Sequence, residues 1–265
     1  STGGFATDDR SMGRFGAPVL WVSTLFMILS ALPFTLLIAF ARRPSMALFK
    51  NQQVLGFLGI ILVVTLLLTV DLINLNLFSP FEAFTKAAFN LVSVITTTGF
   101  AADDYTQWGT FGIALFFVVT FIGGCSGSTS GGMKVFRFQL SYLFLRTQIR
   151  KLVHPNGIFV TQYNGKPVQD DIILSAIAFS FLFFVTLAVV TLLLAMMGLD
   201  LLTSLTAAST ALTNVGPGLG DIIGPAGNFA SLPDAAKWLL SLAMLMGRLE
   251  LLTLMVLFTP MFWRG

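Results

Sequence analysis

Long apolar runs alternate along the chain with short stretches that are rich in glycine and threonine. Val54–Phe78 and Ile172–Gly198 each exceed the roughly 20 residues that a helix needs to cross a bilayer. Three further apolar segments are Ala17–Ala41, with a bend expected at Pro33, Gly109–Gly123 and Lys237–Phe258. The pattern predicts an all-α protein that crosses the membrane several times.

The Gly/Thr stretches between the apolar runs are related to one another. They are "STGGFATDD" (Ser1–Asp9), "ITTTGFAADD" (Ile95–Asp104) and "TNVGPGLGD" (Thr213–Asp221). Laid over one another, they place Gly4, Gly99 and Gly216 at the same position. A single stretch of this kind would be an ordinary turn joining two spans. Three copies with similar flanks predict an internal repeat.

Each complete repeat has the order span, short helix, Gly/Thr stretch, span. The short helix of the middle unit is Ser79–Ile95, where Ser79 and Glu82 predict a capping box and Pro80 occupies the first helical position. Asp200 is the expected N-cap of the corresponding helix in the last unit. We expect pore units at residues 1–50 (incomplete), 51–137 and 171–265, a cytoplasmic linker at 138–170, and a quasi-fourfold arrangement of such units around a pore.

The Gly/Thr stretches have a backbone chemistry suited to cations. Non-helical backbone at membrane depth must line a cavity or be buried in protein, because lipid satisfies none of its polar groups. Glycine permits left-handed backbone angles, so that successive carbonyls can face one axis. Rings of carbonyls replace the hydration shell of an alkali cation in ion filters. The stretches therefore predict a selectivity filter built from several copies.

Composition and charge agree with a membrane location and suggest an orientation. The 265 residues are 55% hydrophobic and only 10% charged, against about 25% charged in soluble domains. If the Gly/Thr stretches share one side, that side is acidic and most arginines and lysines lie on the other. The positive-inside rule makes the basic side cytoplasmic. The acidic outer side would attract cations.

The segment Ile122–Lys134, "IGGCSGSTSGGMK", interrupts a span with five glycines and four serine or threonine residues. It does not match the phosphate-binding loop G-x-x-x-x-G-K-[ST], and no buried strand precedes it. One interpretation is a flexible kink. The other is a mobile intramembrane loop below the filter that acts as a gate.

Arg248 lies within the last apolar segment, where an arginine is costly unless it faces the protein interior or water. We hypothesise that it contacts carbonyls or hydroxyls of Cys125–Ser130 and holds the loop closed. The alternative is a buried ion pair that joins two helices. Glu250 is nearly opposite on the helix and is not the expected partner.

The basic segment Phe136–Val168 begins as an amphipathic helix, which "HPNG" should end. "IFVTQYNGKPV" then predicts a hairpin around Asn164-Gly165. The segment is either a surface-lying linker or a docking site for a cytosolic regulator.

The span–helix–filter–span units with "STGGF", "TTTGF" and "NVGPG" resemble the Trk/Ktr/HKT superfamily of potassium transporters, and the TrkH-type subunits in particular. The whole chain resembles roughly the second half of such a subunit, which suggests a fragment. The resemblance implies a fourth wall contributed by an absent first unit, a homodimer of full-length chains and a cytosolic nucleotide-binding ring partner of the TrkA type. It also implies a multi-pass protein of the bacterial inner membrane.

The resemblance further implies residue roles. K⁺ would be held by filter residues Ser1, Thr2, Gly3, Gly4, Thr96, Thr97, Thr98, Gly99, Thr213, Asn214, Val215 and Gly216. The gate would comprise Gly124, Cys125, Ser126, Gly127, Ser128, Thr129, Ser130 and Gly131, together with Arg248. We expect no covalently bound cofactor and no nucleic-acid partner. Membrane lipid is an expected partner.

The sequence features are consistent with three functions to different degrees. The first is potassium uptake through a gated carbonyl filter, and the second is a Na⁺- or H⁺-coupled cation symporter of the same fold. The third is a membrane enzyme with a catalytic loop at Gly123–Gly132. The enzyme is disfavoured because no nucleophile–base pair accompanies Cys125 or Ser126. We expect the chain not to be an enzyme.

Overall fold

The computed structural model describes residues 2–7, 11–43, 46–157, 159–249, 253, 256, 262 and 263. Its helices are α1 (Ala17–Ser30), α2 (Phe34–Arg42), α3 (Ala47–Lys50), α4 (Gln52–Asn74), α5 (Pro80–Ile95), α6 (Gly109–Thr120), α7 (Val135–Val153), α8 (Asp170–Met196), α9 (Leu201–Thr213) and α10 (Asp234–Arg248). A 3-10 turn at Tyr105–Gln107 and the two short strands β1 (Gln162–Tyr163) and β2 (Lys166–Pro167) complete the described elements. The predicted all-α class is confirmed.

Two of the described helices, α4 and α8, are long and apolar enough to cross a membrane. Only 33% of the most apolar window of each is buried in the protein, so most of their surface is left for lipid. The helices α1 and α2 together would be a third span if they form one bent segment, and α6 and α9 are shorter apolar helices.

The predicted bend at Pro33 is confirmed, and α1 and α2 meet at 101° across the break that contains it. Proline cannot donate the next helical hydrogen bond. In addition, the carbonyl of Ala31 accepts from the amide of Cys125 at 2.9 Å, and the carbonyl of Ser30 accepts from the amide of Thr129 at 3.3 Å. The segment that follows α6 therefore binds the backbone at the break between α1 and α2 and stabilises the angle between them.

The short helices α5 and α9 are buried by the spans around them. The core-facing residues of α5 include all of those from Ala87 to Ile95, and α9 is buried from Thr206 to Thr213. The helix α5 packs against α4 and α1, while α9 packs against α8 and α10. This confirms that α5 is not a lipid-facing span.

One predicted cap forms and the other does not. The carboxylate of Asp200 accepts from the amide of Thr203 at 3.0 Å, as expected for an N-cap. Ser79 occupies the N-cap position of α5 but its side chain makes no capping bond, so the predicted capping box is wrong. Glu82 pairs instead with Lys86 at 3.0 Å, one turn along the helix.

The predicted bounds of the later segments need two corrections. The helix α6 ends at Thr120, because the glycine-rich segment after it leaves the helical path. The helix α10 begins at Asp234, just after Pro233, and ends at Arg248. Most of the second half of the predicted span to Phe258, including Glu250, lies outside the described residues.

The segment that joins the two complete units forms the helix and the hairpin that the sequence predicts. The helix α7 ends at Val153, directly before His154-Pro155. Strands β1 and β2 are antiparallel, and Asn164 and Gly165 both have positive φ, as a two-residue type I′ turn requires. The division into units at residues 50, 137 and 170 stays a prediction.

Candidate filter and intramembrane loop

The three Gly/Thr stretches share one backbone conformation. Residues at the first shared position, Thr2, Thr97 and Asn214, have φ of 50°, 56° and 60°. Residues two positions later, Gly4, Gly99 and Gly216, have φ of 63°, 82° and 111°. The residues between these positions are Gly3, Thr98 and Val215, and none of them has positive φ. Positive and negative φ angles therefore alternate along each stretch. Two threonines in the left-handed region are unusual, because a β-branched side chain disfavours it.

The ends of the buried helices hold this conformation in the two complete units. After α5, the amide of Thr98 donates to the carbonyl of Ser93 at 2.8 Å. After α9, the amide of Val215 donates to the carbonyl of Thr210 at 3.1 Å, and the amide of Gly216 donates to the Thr210 hydroxyl at 2.9 Å. The amide groups of the stretches are thereby directed back toward the helices.

Neighbouring stretches meet through their glycines. A Cβ placed on Gly4 would overlap the carbonyl oxygen of Thr98, and a Cβ placed on Gly99 would overlap the carbonyl oxygen of Val215. Thr98 and Val215 occupy the same position in successive copies, so the same contact is made twice. No described atom lies within 4 Å of a Cβ placed on Gly216. Gly4 and Gly99 each pack against a carbonyl of the following stretch, whereas Gly216 faces open space among the described residues.

A cavity of about 450 Å³ joins the three stretches. It is lined by Gly3, Gly4, Gly99, Val215 and Gly216, among others. Seven of the predicted filter residues line this cavity, at least two from each stretch: Gly3, Gly4, Thr98, Gly99, Asn214, Val215 and Gly216. Ser1 lies outside the described residues.

The segment from Phe121 to Lys134 lies against all three stretches. Its Gly131 amide donates to Thr97 Oγ1 at 2.6 Å, and its Gly132 amide donates to the Thr213 carbonyl at 2.9 Å. The hydroxyl of Thr2 donates to the carbonyl of Thr129 at 3.3 Å. The interrupted span is therefore a loop in direct contact with the three Gly/Thr stretches.

Cationic side chains surround the other side of the loop. Arg248 Nη1 donates to the Thr129 carbonyl at 2.9 Å, which is the contact predicted from the sequence. Lys134 Nζ donates to the carbonyl of Ser130, and the Arg137 guanidinium lies 3.8 Å from the centre of the Phe179 ring. Within the described part of the chain, no salt bridge joins Arg248 to a carboxylate.

The outer loop after the middle stretch is held by two features that the sequence did not reveal. Asn90 is fully buried in α5 and accepts from the amide of Ala102 at 3.0 Å. Tyr105 stacks on Phe116 with ring centres 4.1 Å apart, and burial raises the pKa of its phenol well above the ordinary range. A lone asparagine in a short amphipathic helix was the available signal for the first contact.

The polar residues that line the cavity are Thr98, Thr210, Asn214, Lys237 and Ser241. Across the residues that the structure describes, no group of three or more His, Cys, Asp or Glu side chains could hold a metal ion. Lys86 pairs with Asp103 at 3.0 Å at the outer loop, so this carboxylate is engaged with a cation.

Apolar spans combined with buried helix–loop segments whose backbones meet around one cavity define a polytopic membrane protein of the pore-loop class. The sequence model of the TrkH family, described as cation transport protein, matches residues 1–264. The chain belongs to the TrkH family. The family description and the names of the relatives denote transport proteins, which confirms the expectation that the chain is not an enzyme.

Particular relatives agree with this assignment. The chain is 55% identical over its whole length to the Trk system potassium uptake protein TrkI of Halomonas elongata, and covers 54% of that protein. It is 36% identical to the TrkH of Vibrio parahaemolyticus over 99% of the chain, and covers 55% of that protein. The crystal structure of the potassium transporter TrkH from Vibrio parahaemolyticus matches 99% of the chain with a TM-score of 0.92 and 34% identity, and 57% of that structure is covered. The chain thus spans about half the length of these relatives.

Proposed function

We propose that the chain forms part of a potassium uptake pathway in which backbone carbonyls of the three Gly/Thr stretches select the ion. The observation that carries the proposal is the repeated contact of Gly4 with the Thr98 carbonyl and of Gly99 with the Val215 carbonyl. Identical packing of homologous backbone segments is what a ring of ion-coordinating groups requires.

The helices α5 and α9 support the same function electrostatically. Both end at a filter stretch, at Ile95 and Thr213. The carboxyl end of a helix carries a partial negative charge, which stabilises a cation beyond it. Loss of water from K⁺ is then offset by carbonyl oxygens together with two helix ends.

The open side of Gly216 suggests how the ring is completed. We propose that a further copy of the stretch packs there, so that four walls enclose the pore. The relatives are about twice as long as the chain, which leaves room for another unit in a protein of their size. Its glycine would then meet the carbonyl of Gly3, the residue equivalent to Thr98 and Val215.

The loop Gly123–Gly132 is proposed as the gate of this pathway. It is bonded to every described filter stretch and is held from below by Arg248. The positive charge of Arg248 beside the loop opposes passage of a cation. Withdrawal of the loop would remove two obstacles from the pathway, the loop itself and this charge.

The proposed setting is the bacterial inner membrane, with a homodimer of full-length chains and a cytosolic nucleotide-binding ring partner. Membership of the TrkH family supports these assignments. The exposed hairpin at 162–167 offers a surface on the side that the positive-inside rule makes cytoplasmic.

Rubidium uptake tests the function. The protein that contains this chain is placed in lipid vesicles loaded with K⁺, and uptake of rubidium is measured against competing K⁺ and Na⁺. We expect competition by K⁺ and little by Na⁺. Uptake that depends on Na⁺ or on a proton gradient would support the coupled symporter instead, and no uptake would refute the proposal.

A further inference from the structure

The first turn of α4 is joined to the cytoplasmic hairpin by a reciprocal pair of hydrogen bonds. The amide of Gln52 donates to Asn164 Oδ1 at 2.8 Å, and the amide of Asn164 donates to Gln52 Oε1 at 3.1 Å. The first amides of a helix have no partner within it, so a side chain from elsewhere can bind them. Asn164 supplies that partner from the turn of the hairpin.

A second route connects the hairpin to the same helical turn. The hydroxyl of Tyr163 donates to Gln139 Oε1 at 2.7 Å, and Gln139 Nε2 donates to the carbonyl of Gln52 at 2.9 Å. Gly56 makes the approach possible, because a Cβ there would overlap the amide nitrogen of Gln139. Burial raises the pKa of Tyr163, so its phenol stays protonated and remains a donor.

The next residue, Gln53, faces a different direction and binds the intramembrane loop. Its side chain is 6% exposed, and its Oε1 accepts from the amide of Ser126 at 3.0 Å. The carbonyl of Gln53 also lies 4.0 Å from Cys125 Sγ. Adjacent residues of one helical turn thus hold the hairpin on one side and the loop on the other.

We propose that Gln52 and Gln53 are positioning residues that couple the hairpin at 162–167 to the loop Gly123–Gly132, so that movement of the hairpin releases the loop. The inference rests on the proposed function in one respect, because it takes the loop to be the gate. Coupling through the first turn is physically direct, since the two glutamines share one peptide group and α4 packs against both α5 and α7.

The coupling predicts that loss of the hydrogen bonds at the hairpin weakens the hydrogen bond that holds the loop. If the reciprocal pair is broken, the first turn of α4 loses an anchor and the Gln53–Ser126 bond weakens with it. The amide of Ser126, which is protected by its hydrogen bond to Gln53 Oε1, then exchanges with solvent more often. Hydrogen–deuterium exchange of the loop amides reports this opening without any transport measurement.

The test compares Asn164→Ala with Gln162→Ala in the full-length protein that contains this chain, held in detergent micelles. Both residues are exposed on the same hairpin, but only the first holds Gln52 through its side chain. Asn164→Ala should raise exchange in Gly123–Gly132 about fivefold, the effect of one net hydrogen bond. Gln162→Ala should leave it unchanged. Gln53→Met, which keeps the length of the side chain, should raise exchange at Ser126 directly.

The outcomes separate the coupling from the gate. The coupling would be overturned if Asn164→Ala accelerated exchange in the hairpin but left exchange in the loop unchanged. It would also be overturned if Asn164→Ala and Gln162→Ala had equal effects on exchange in the loop. Unchanged exchange in α8 shows that each variant is folded, and the decision rests on the exposed Asn164 even if Gln53→Met does not fold. Rubidium uptake of the unaltered protein is measured separately, and its absence would refute the proposed function while leaving the exchange result intact.

Discussion

The amide of Gly131 donates a hydrogen bond of 2.6 Å to Oγ1 of Thr97, which ties the intramembrane loop to the middle filter stretch. Thr97 is 1% exposed and has φ of 56°. A β-branched residue in the left-handed region is strained, so surrounding contacts must hold it there. The bond to Gly131 is one of those contacts, and it makes the filter and the loop parts of one structure.

Replacing Thr97 by valine should loosen the loop. Valine keeps the shape of the side chain but removes the acceptor, so the buried Gly131 amide loses its partner at a cost of about 1–3 kcal/mol. We expect faster exchange of the Gly131 amide and increased rubidium uptake. Thr97→Ser keeps the oxygen and should retain the exchange rate of the parent. Equal behaviour of the two variants would show that the hydroxyl does not hold the loop.

Gly99→Ala should abolish selective uptake. The new Cβ would overlap the Val215 carbonyl, and alanine at φ of 82° adds backbone strain. Displacement of one wall by even a few tenths of an ångström alters the coordination of the ion. We expect a loss of rubidium uptake of at least about fivefold, from strain of about 1–3 kcal/mol.

The matched control for this substitution is Gly59→Ala in α4. No described atom lies within 4 Å of a Cβ at Gly59, and its φ is not positive. Uptake by this variant should equal that of the parent, with thermal stability unchanged or slightly raised. Normal uptake by Gly99→Ala would contradict the close contact of the stretches.

The spans and buried helices could be predicted because their signals are local. Proline at the first position of α5 and the Asp200 cap of α9 are read within one helical turn, and the observed ends agree within one or two residues. The 101° break at Pro33 could not be predicted in size. It depends on amides of Cys125 and Thr129 that arrive from a distant part of the chain.

The candidate site was predictable in place but not in conformation. Repetition of glycine at one position located the stretches, yet nothing about Thr2 or Thr97 indicates a left-handed backbone. The signal lay in the third copy, where Asn214 occupies the same position and asparagine tolerates that region. Gln53 could not be found at all, because a single polar residue in the first turn of a helix has many ordinary explanations.

Lys86 should stabilise the outer mouth measurably. It pairs with Glu82 and Asp103, each at 3.0 Å, and lies 3.8 Å from the centre of the Phe78 ring. Lys86→Met should lower the free energy of unfolding by up to about 1 kcal/mol, the upper range for partly exposed pairs. Thermal unfolding in detergent measures the effect, which should shrink at high salt.

Lys237 provides the comparison for Lys86. It pairs with Asp234 at 3.1 Å, but the carboxylate is 91% exposed, so solvent screens the pair. Lys237→Met should change the free energy of unfolding by less than about 0.5 kcal/mol. If the two variants were equally stable, the double pairing of Lys86 would contribute nothing beyond a single surface pair.

Asp200 should make a pH-dependent contribution to stability through its cap on α9. The hydrogen bonds from Thr203 lower the pKa of Asp200 in the folded protein. A lowered pKa means that the stabilisation is present above the unfolded-state value and is lost as pH falls through the folded-state value. Asp200→Ala should cost about 1 kcal/mol at neutral pH. Asp200→Asn should keep most of the cap but lose its pH dependence, which thermal unfolding across the acid range would show.

Arg248→Ala should raise ion conduction if the loop is the gate. The substitution removes both the 2.9 Å bond to the Thr129 carbonyl and a positive charge beside the ion pathway. We expect rubidium uptake to rise roughly three- to tenfold, the effect of one lost hydrogen bond. Arg248→Lys keeps the charge but not the planar donor group. If the charge and the hydrogen bond both contribute, its rubidium uptake should lie between that of the parent protein and that of Arg248→Ala. Unchanged or reduced uptake by Arg248→Ala, with the thermal unfolding of the parent protein, would show that Arg248 joins two parts of the fold and does not restrain the gate.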